Sequence, residues 1–158
     1  MKLTDIVVTE AILSDLAATS RDDAIAEMVD ALVTASALSP ELKDEFVKAI
    51  IKREKRGSTG FGHGVAVPHV KHTAISRMAV AVGISRTGID FNALDKQPVY
   101  SIFLLLSPED KPEDHLDAME AIFGNLSQDT FRRFLRQAQS ADDVMGLLEE
   151  ADAKTKVR

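Results

Sequence analysis

The chain has 158 residues, 45% hydrophobic and 28% charged, with 19 Lys and Arg against 25 Asp and Glu for a formal charge of −6. That length suits one domain with a sizeable core, and an acidic chain with no Trp and one Tyr excludes a general nucleic-acid binder, which needs cations and stacking rings. The absence of Cys excludes disulfides and thiolate metal sites and sets a cytoplasmic expectation, while no apolar run reaches the ~18–20 residues that span a bilayer, so no direct membrane insertion is expected.

No internal repeat or low-complexity linker divides the chain, so residues 1–152 read as one domain and residues 153–158 as a short charged tail. The first residues lack the apolar core of a secretory signal. Residues 3–7 suit a helical turn and residues 11–13 a short strand. Residues 20–37 are clearly helical: Ser20 can cap, Asp22 and Asp23 suit the first turn, and Ile25, Met28, Val29, Leu32 and Val33 repeat at helical spacing. Ser39-Pro40-Glu41 restarts a helix whose stripe is Leu42, Phe46, Val47, Ile50 and Ile51. Its basic end, residues 52–56, suits the negative end of the helix dipole, and Gly57 closes it.

Residues 77–85 read as a strand of small and β-branched side chains, Thr87-Gly88 as a turn, and residues 89–94 as a further short strand. Residues 99–106 (VYSIFLLL) are almost continuously apolar, as strands covered on both faces are. Three helices follow, over residues 112–126, 130–138 and from Ser140 onward. Helices on both sides of a set of buried strands predict a layered α/β domain.

Between the second helix and the strands lies the unusual segment, residues 53–71, REKRGSTGFGHGVAVPHVK. Gly60, Gly62 and Gly64 alternate, and Val65-Ala66-Val67 runs into Pro68-His69. Glycine admits positive φ and close backbone approach, whereas proline fixes φ. A run so punctuated presents His69 in a defined attitude. The G-x-G-x-G spacing is not the dinucleotide fingerprint, and no G-K-[ST] follows, so nucleotide binding is not indicated. His63, His69 and His72 lie close in sequence, yet their spacing matches no common zinc arrangement and no H-E-x-x-H helix is present. A zinc site on these histidines is therefore the weaker alternative.

A phosphoryl carrier accounts for more of the pattern. Neutral imidazole is nucleophilic near physiological pH, with an unperturbed pKa of ~6.5. Phosphoryl transfer then needs an in-line nucleophile and donors around the equatorial oxygens. His69 is the candidate nucleophile. Ser58, Thr59, and the backbone at Gly62, His63 and Gly64 are candidates for the phosphate cradle, and Arg53 for a fixed cation. His115, in the first turn of a helix, is a candidate donor to the same phosphate if the fold brings it there.

The segment ending in Pro68-His69 resembles the signature of type-2 enzyme IIA domains of the phosphotransferase system, the mannitol, fructose and nitrogen-regulatory group. Leu104-Leu105-Leu106-Ser107-Pro108 followed by His115-Leu116 is similar to that family's strand and second histidine, and residues 131–148 to its C-terminal helices. The resemblance implies a mixed sheet of about five strands with helices on both faces. It implies phosphorylation at His69, with His115 and Arg53 as partners in the site and no metal or cofactor. It also implies a donor, the phosphocarrier HPr, and an acceptor, an enzyme IIB domain or a regulated protein. A free-standing domain of this length leans toward the nitrogen-regulatory branch. The rival from another class is a non-catalytic regulatory module on the same fold. Two departures stand out: His63 occupies a position where relatives often carry Asn or a carboxylate, and Val70 one where glycine is usual.

Overall fold

A computed structural model describes residues 1–156. The opening helical turn α1 (Leu3–Ile6) leads directly into strand β1 (Val7–Leu13). Helix α2 (Arg21–Thr34) starts where Ser20 accepts a bond from the amide of Asp23 at 3.3 Å, as its acidic first turn predicts. After a single 3₁₀ turn at Pro40–Leu42, α3 spans Lys43–Arg56. Proline therefore opens the 3₁₀ turn, one step earlier than the helix proper, and Ser39 bonds Glu41 instead of capping.

Three short strands come next: β2 (Gly60–Gly62), β3 (Val65–Ala66) and β4 (His69–His72). The long strands β5 (Ala79–Ile89) and β6 (Val99–Pro108) follow, then α4 (Pro112–Leu126), α5 (Asp129–Gln137) and α6 (Ala141–Lys156). The turn expected at Thr87-Gly88 is instead an irregularity within β5. Gly88 sits at φ 87°, its amide donating to Ser85 Oγ at 3.0 Å, and the pairing with β6 slips between Ile84 and Ile89. Five steps in β5, from Ile84 to Ile89, oppose two in β6, from Ser101 to Val99, so β5 bulges by three residues. No separate strand forms over residues 89–94. Helix α6 continues past Ala153, the expected start of the tail, to Lys156; Val157 and Arg158 of that tail lie outside the described residues.

The sheet is mixed and runs β1-β5-β6-β3-β2, with β4 also on β6. Strands β3 and β4 lie end to end along one edge of β6: Val65 and Ala66 pair with Ser101 and Ile102, and His69 to His72 pair with Leu105 to Pro108, all parallel. Six strand segments thus fill five strand positions, in agreement with the expected sheet of about five. Pro68, which cannot donate to a ladder, falls in the gap between the two.

Side chains alternate across a strand, and β6 shows what its apolar run is for. Ile102, Leu104 and Leu106 pack with Ile25, Met28, Phe46 and Ile50 of α2 and α3. Phe103 and Leu105 pack with Ile122, Leu126, Phe131, Leu135 and Leu148 of α4, α5 and α6. Both faces are covered. The two ends of the fold also meet. Asp152 of α6, itself buried, accepts from the amides of Leu3 and Thr4 at 2.8 and 3.0 Å and from the Thr4 hydroxyl at 2.7 Å, which closes the first turn of α1. No helix among the described residues is long and apolar enough to cross a membrane.

Candidate functional site: a histidine pair at the end of the central strand

Register decides where the histidines meet. His69 opens β4 opposite Leu105, and Lys71 two residues on lies opposite Ser107. Strand β6 ends at Pro108 and α4 begins at Pro112, so the first turn of α4 folds back over the strand it has just left. His115 then lies 2.7 Å from Ser107, through Nδ1 and Oγ, and its ring centroid is 5.6 Å from that of His69, with the planes inclined by 52°. The strand end thus unites two side chains 46 positions apart.

Each imidazole is held through Nδ1. His69 Nδ1 lies 2.8 Å from the Val67 carbonyl oxygen, which can only accept. The proton is therefore on Nδ1, and in the neutral ring the lone pair is on Nε2. For His115 the partner is a hydroxyl that is fully buried and whose other neighbour is the Met78 sulfur, 3.4 Å away. Nitrogen is a much better acceptor than thioether sulfur. On that ground we assign the Ser107 proton to His115 Nδ1, and the ring proton of His115 to Nε2. The two rings thus carry opposite tautomers, one with an exposed lone pair and one with a donor.

The electrostatics keep both rings neutral near pH 7. Burial lowers the pKa of His69 from its usual 6.5; the Val67 carbonyl opposes this, Arg53 adds to the lowering, Glu54 opposes and Lys71 adds. For His115, burial comes first, then the charge of Lys71, then His69 itself, and together they push it down to about 4. Desolvation and like charge act in one direction on a cation. Lys71 acts on both rings, a role set by the register of β4 on β6 that leaves no local signal in the sequence.

The remaining candidates divide. Arg53, half-buried at the end of α3, acts on His69 through its charge and donates from Nη1 to the Gly57 carbonyl at 2.8 Å. The Ser58 and Thr59 hydroxyls are engaged elsewhere. Ser58 donates to the Phe91 carbonyl at 2.7 Å and accepts from the Gly60 amide at 3.0 Å. Thr59 donates its hydroxyl and, at 3.0 Å, its amide to the carboxylate of Glu54, a residue only 2% exposed. These bonds shape the loop after α3 and occupy both hydroxyl protons.

Gly62 ends β2 and His63-Gly64 form the turn of the β2–β3 hairpin, all three at positive φ: 115°, 60° and 76°. The Gly64 carbonyl accepts from the amides of Tyr100 and Ser101, whereas His69 stands opposite Leu105. At roughly 3.3 Å per residue, the turn is ~16 Å from His69 along the strand. The structure does not bring these three residues to the histidine pair, and the alternating glycines serve the hairpin. His72 is also elsewhere in role: Nε2 bonds Glu45, Nδ1 accepts from the Ala74 amide at 2.9 Å, and its ring packs 4.6 Å from Phe46. Among the described residues no three His, Asp or Glu side chains gather in a metal-binding group.

Comparison with known proteins agrees with this architecture. The family model described as phosphoenolpyruvate-dependent sugar phosphotransferase system, EIIA 2, matches residues 5–151. The crystal structure of nitrogen regulatory protein IIA-Ntr from Neisseria meningitidis superposes with a TM-score of 0.82 at 33% identity, over 91% of this chain and 97% of that one. A nitrogen regulatory protein of Bradyrhizobium diazoefficiens is 33% identical over 148 residues, 94% of this chain and 95% of its own. The fructose-specific EIIABC component of Bacillus subtilis is 30% identical over 152 residues, 96% of this chain but only 24% of that longer protein. The strand-end histidine pair and the match over nearly the whole fold lead to one conclusion: the chain belongs to the type-2 enzyme IIA family of the phosphoenolpyruvate-dependent sugar phosphotransferase system.

Proposed function

We propose that the chain is a histidine phosphocarrier in which Nε2 of His69 accepts a phosphoryl group from a phosphorylated HPr-type protein. The group then passes to an enzyme IIB domain, or its presence on His69 controls a regulated partner in the cytoplasm. The observation that carries this reading is the apposed pair of oppositely protonated rings, His69 and His115, 5.6 Å apart.

In the transfer, the His69 Nε2 lone pair forms the new N–P bond as the donor's N–P bond breaks, and the electron pair of that bond returns to the donor ring. The phosphorylated His69 ring becomes cationic while keeping its Nδ1 proton. The Val67 carbonyl, 2.8 Å away, stabilises that cation. His115 donates from Nε2 to a phosphoryl oxygen, and Arg53 and Lys71 supply positive charge toward the same region. Such positioning and charge stabilisation make up most of phosphoryl-transfer catalysis.

The test is incubation with phosphoenolpyruvate, enzyme I and the cognate HPr-type carrier, followed by intact-mass analysis. Wild type should gain one acid-labile phosphoryl group and His69→Ala none. His115→Ala should be phosphorylated about 10²–10³-fold more slowly, as when one transition-state donor is lost, with stability nearly unchanged. An unmodified wild type would sink the reading. Equal losses of rate and stability in His115→Ala would make that residue structural.

A further inference from the structure

His63 was expected beside the phosphorylated histidine, and its actual neighbours suggest a different use. The imidazole, exposed at the tip of the β2–β3 hairpin, lines an open groove of about 560 Å³ with Asp129, Arg132, Arg133, Arg136 and Gln137 of α5. Three guanidinium groups thus face one carboxylate, on a chain whose formal charge is −6. Acidic residues outnumber basic ones overall, so an excess of cations in one concavity runs against the composition.

Two of the three cations are also held in place. Arg132, 14% exposed, donates from Nη1 to the Leu126 carbonyl at 2.8 Å and reaches Asp129 at 3.5 Å. The Arg136 guanidinium lies 3.8 Å from the centroid of the Tyr100 ring, and no carboxylate pairs with it among the described residues. Arg133 reaches Asp129 only at 3.9 Å and is 58% exposed, a pairing too loose to occupy it. Just beyond the groove, Arg86 fixes the end of α5 by donating to the Arg136 and Ala138 carbonyls at 3.3 and 2.6 Å. Capping the end of α4 accounts for Arg132. It does not account for Arg133 or Arg136.

We infer that this groove binds a compact multivalent oxyanion of the phosphate class, a small phosphorylated metabolite, at a site separate from His69. Planar guanidinium forks suit phosphoryl oxygens, which accept two donors at once. No apolar side chain lines the groove, so the ligand it fits has little apolar body, which disfavours a nucleobase. The groove includes the hairpin tip, beyond the ~16 Å that separates the turn from His69 along the strand, so the inference does not rest on phosphoryl transfer there.

The experiment titrates the full chain with inorganic triphosphate at constant ionic strength, by calorimetry and by amide NMR, with inorganic phosphate as the monovalent-group control. We expect saturable one-to-one binding, weaker for phosphate than for triphosphate. Amide shifts should centre on His63, Arg132, Arg133 and Arg136, leaving those of His69 and His115 in place. Arg133→Gln combined with Arg136→Gln should weaken binding tenfold or more at unchanged melting temperature. Lys48→Gln, an exposed charge on α3, should leave it unaltered. Non-saturating binding, shifts spread over the surface or centred on His69, or full affinity in the double variant would each overturn the inference. If the double variant melts early, Arg133→Gln alone decides, because that exposed side chain holds no buried contact; undiminished affinity there overturns the inference as well.

Discussion

Ser107 Oγ lies 2.7 Å from His115 Nδ1, and that one bond decides which nitrogen of His115 faces outward as a donor. The hydroxyl is fully buried, so no water competes for it. In the proposed transfer Ser107 is a positioning residue that acts through the imidazole.

Ser107→Ala should therefore leave the fold largely intact, at a loss of about 1 kcal/mol for one hydrogen bond, yet release the His115 tautomer. Nitrogen-15 NMR of the imidazoles is the discriminating measurement. In wild type at pH 7.5 the neutral rings should show opposite tautomers, His69 protonated on Nδ1 and His115 on Nε2. The alanine variant should show His115 as a mixture while His69 is unchanged, together with slower phosphorylation. A His115 signal identical in both proteins would remove Ser107 from the mechanism.

Acid should weaken the fold through the same two rings. Both have folded pKa values below the usual 6.5, His115 at about 4. Above pH 6.5 the rings are neutral in folded and unfolded chains alike, and the stability they permit is fully present. As pH falls from 6.5 toward 4, the unfolded chain takes up protons that the folded chain refuses, so stability is lost through that window. Urea midpoints at pH 7.5 and pH 5 should fall more in wild type than in His115→Gln. Parallel curves for the two proteins would mean that His115 titrates normally in the fold.

The carboxylate of Glu54 makes a third case. It is buried and receives both the amide and the hydroxyl of Thr59, and it acts on His69 to raise its pKa. Glu54→Ala leaves the Thr59 donors without their partner, which should cost about 2–3 kcal/mol by chemical denaturation. The pKa of His69 should also drop further, because the opposing charge is gone. An unaltered His69 titration would show that Glu54 serves the loop alone.

What the sequence reveals and conceals follows the range of each interaction. Helical spacing and capping are local, so Ser20, Pro112 and the apolar stripes of α2 to α6 announce those helices. The punctuation around Pro68 singles out His69, since a proline–histidine strand end is local chemistry too. The partnership of His115 with Ser107 depends on how tightly α4 doubles back over β6. Lys71 enters only through the register of β4 on β6. The glycines mislead for the same reason: positive φ at Gly62 and Gly64 is needed by a hairpin as much as by a phosphate cradle, and only the pairing of Gly64 with Tyr100 and Ser101 separates the two uses. His63 travels with that hairpin to α5.

The bond from Asp152 to the start of α1 has an architectural consequence. A single carboxylate clasps residues 3 and 4 to the last helix, so the polypeptide enters and leaves the domain at one corner. A segment joined ahead of α1 and another joined beyond α6 would emerge side by side, like two leads from one socket. Tension applied across them would first pull α1 away from α6. Strand β6, which aligns His69 with Leu105, lies two positions away from β1 in the sheet.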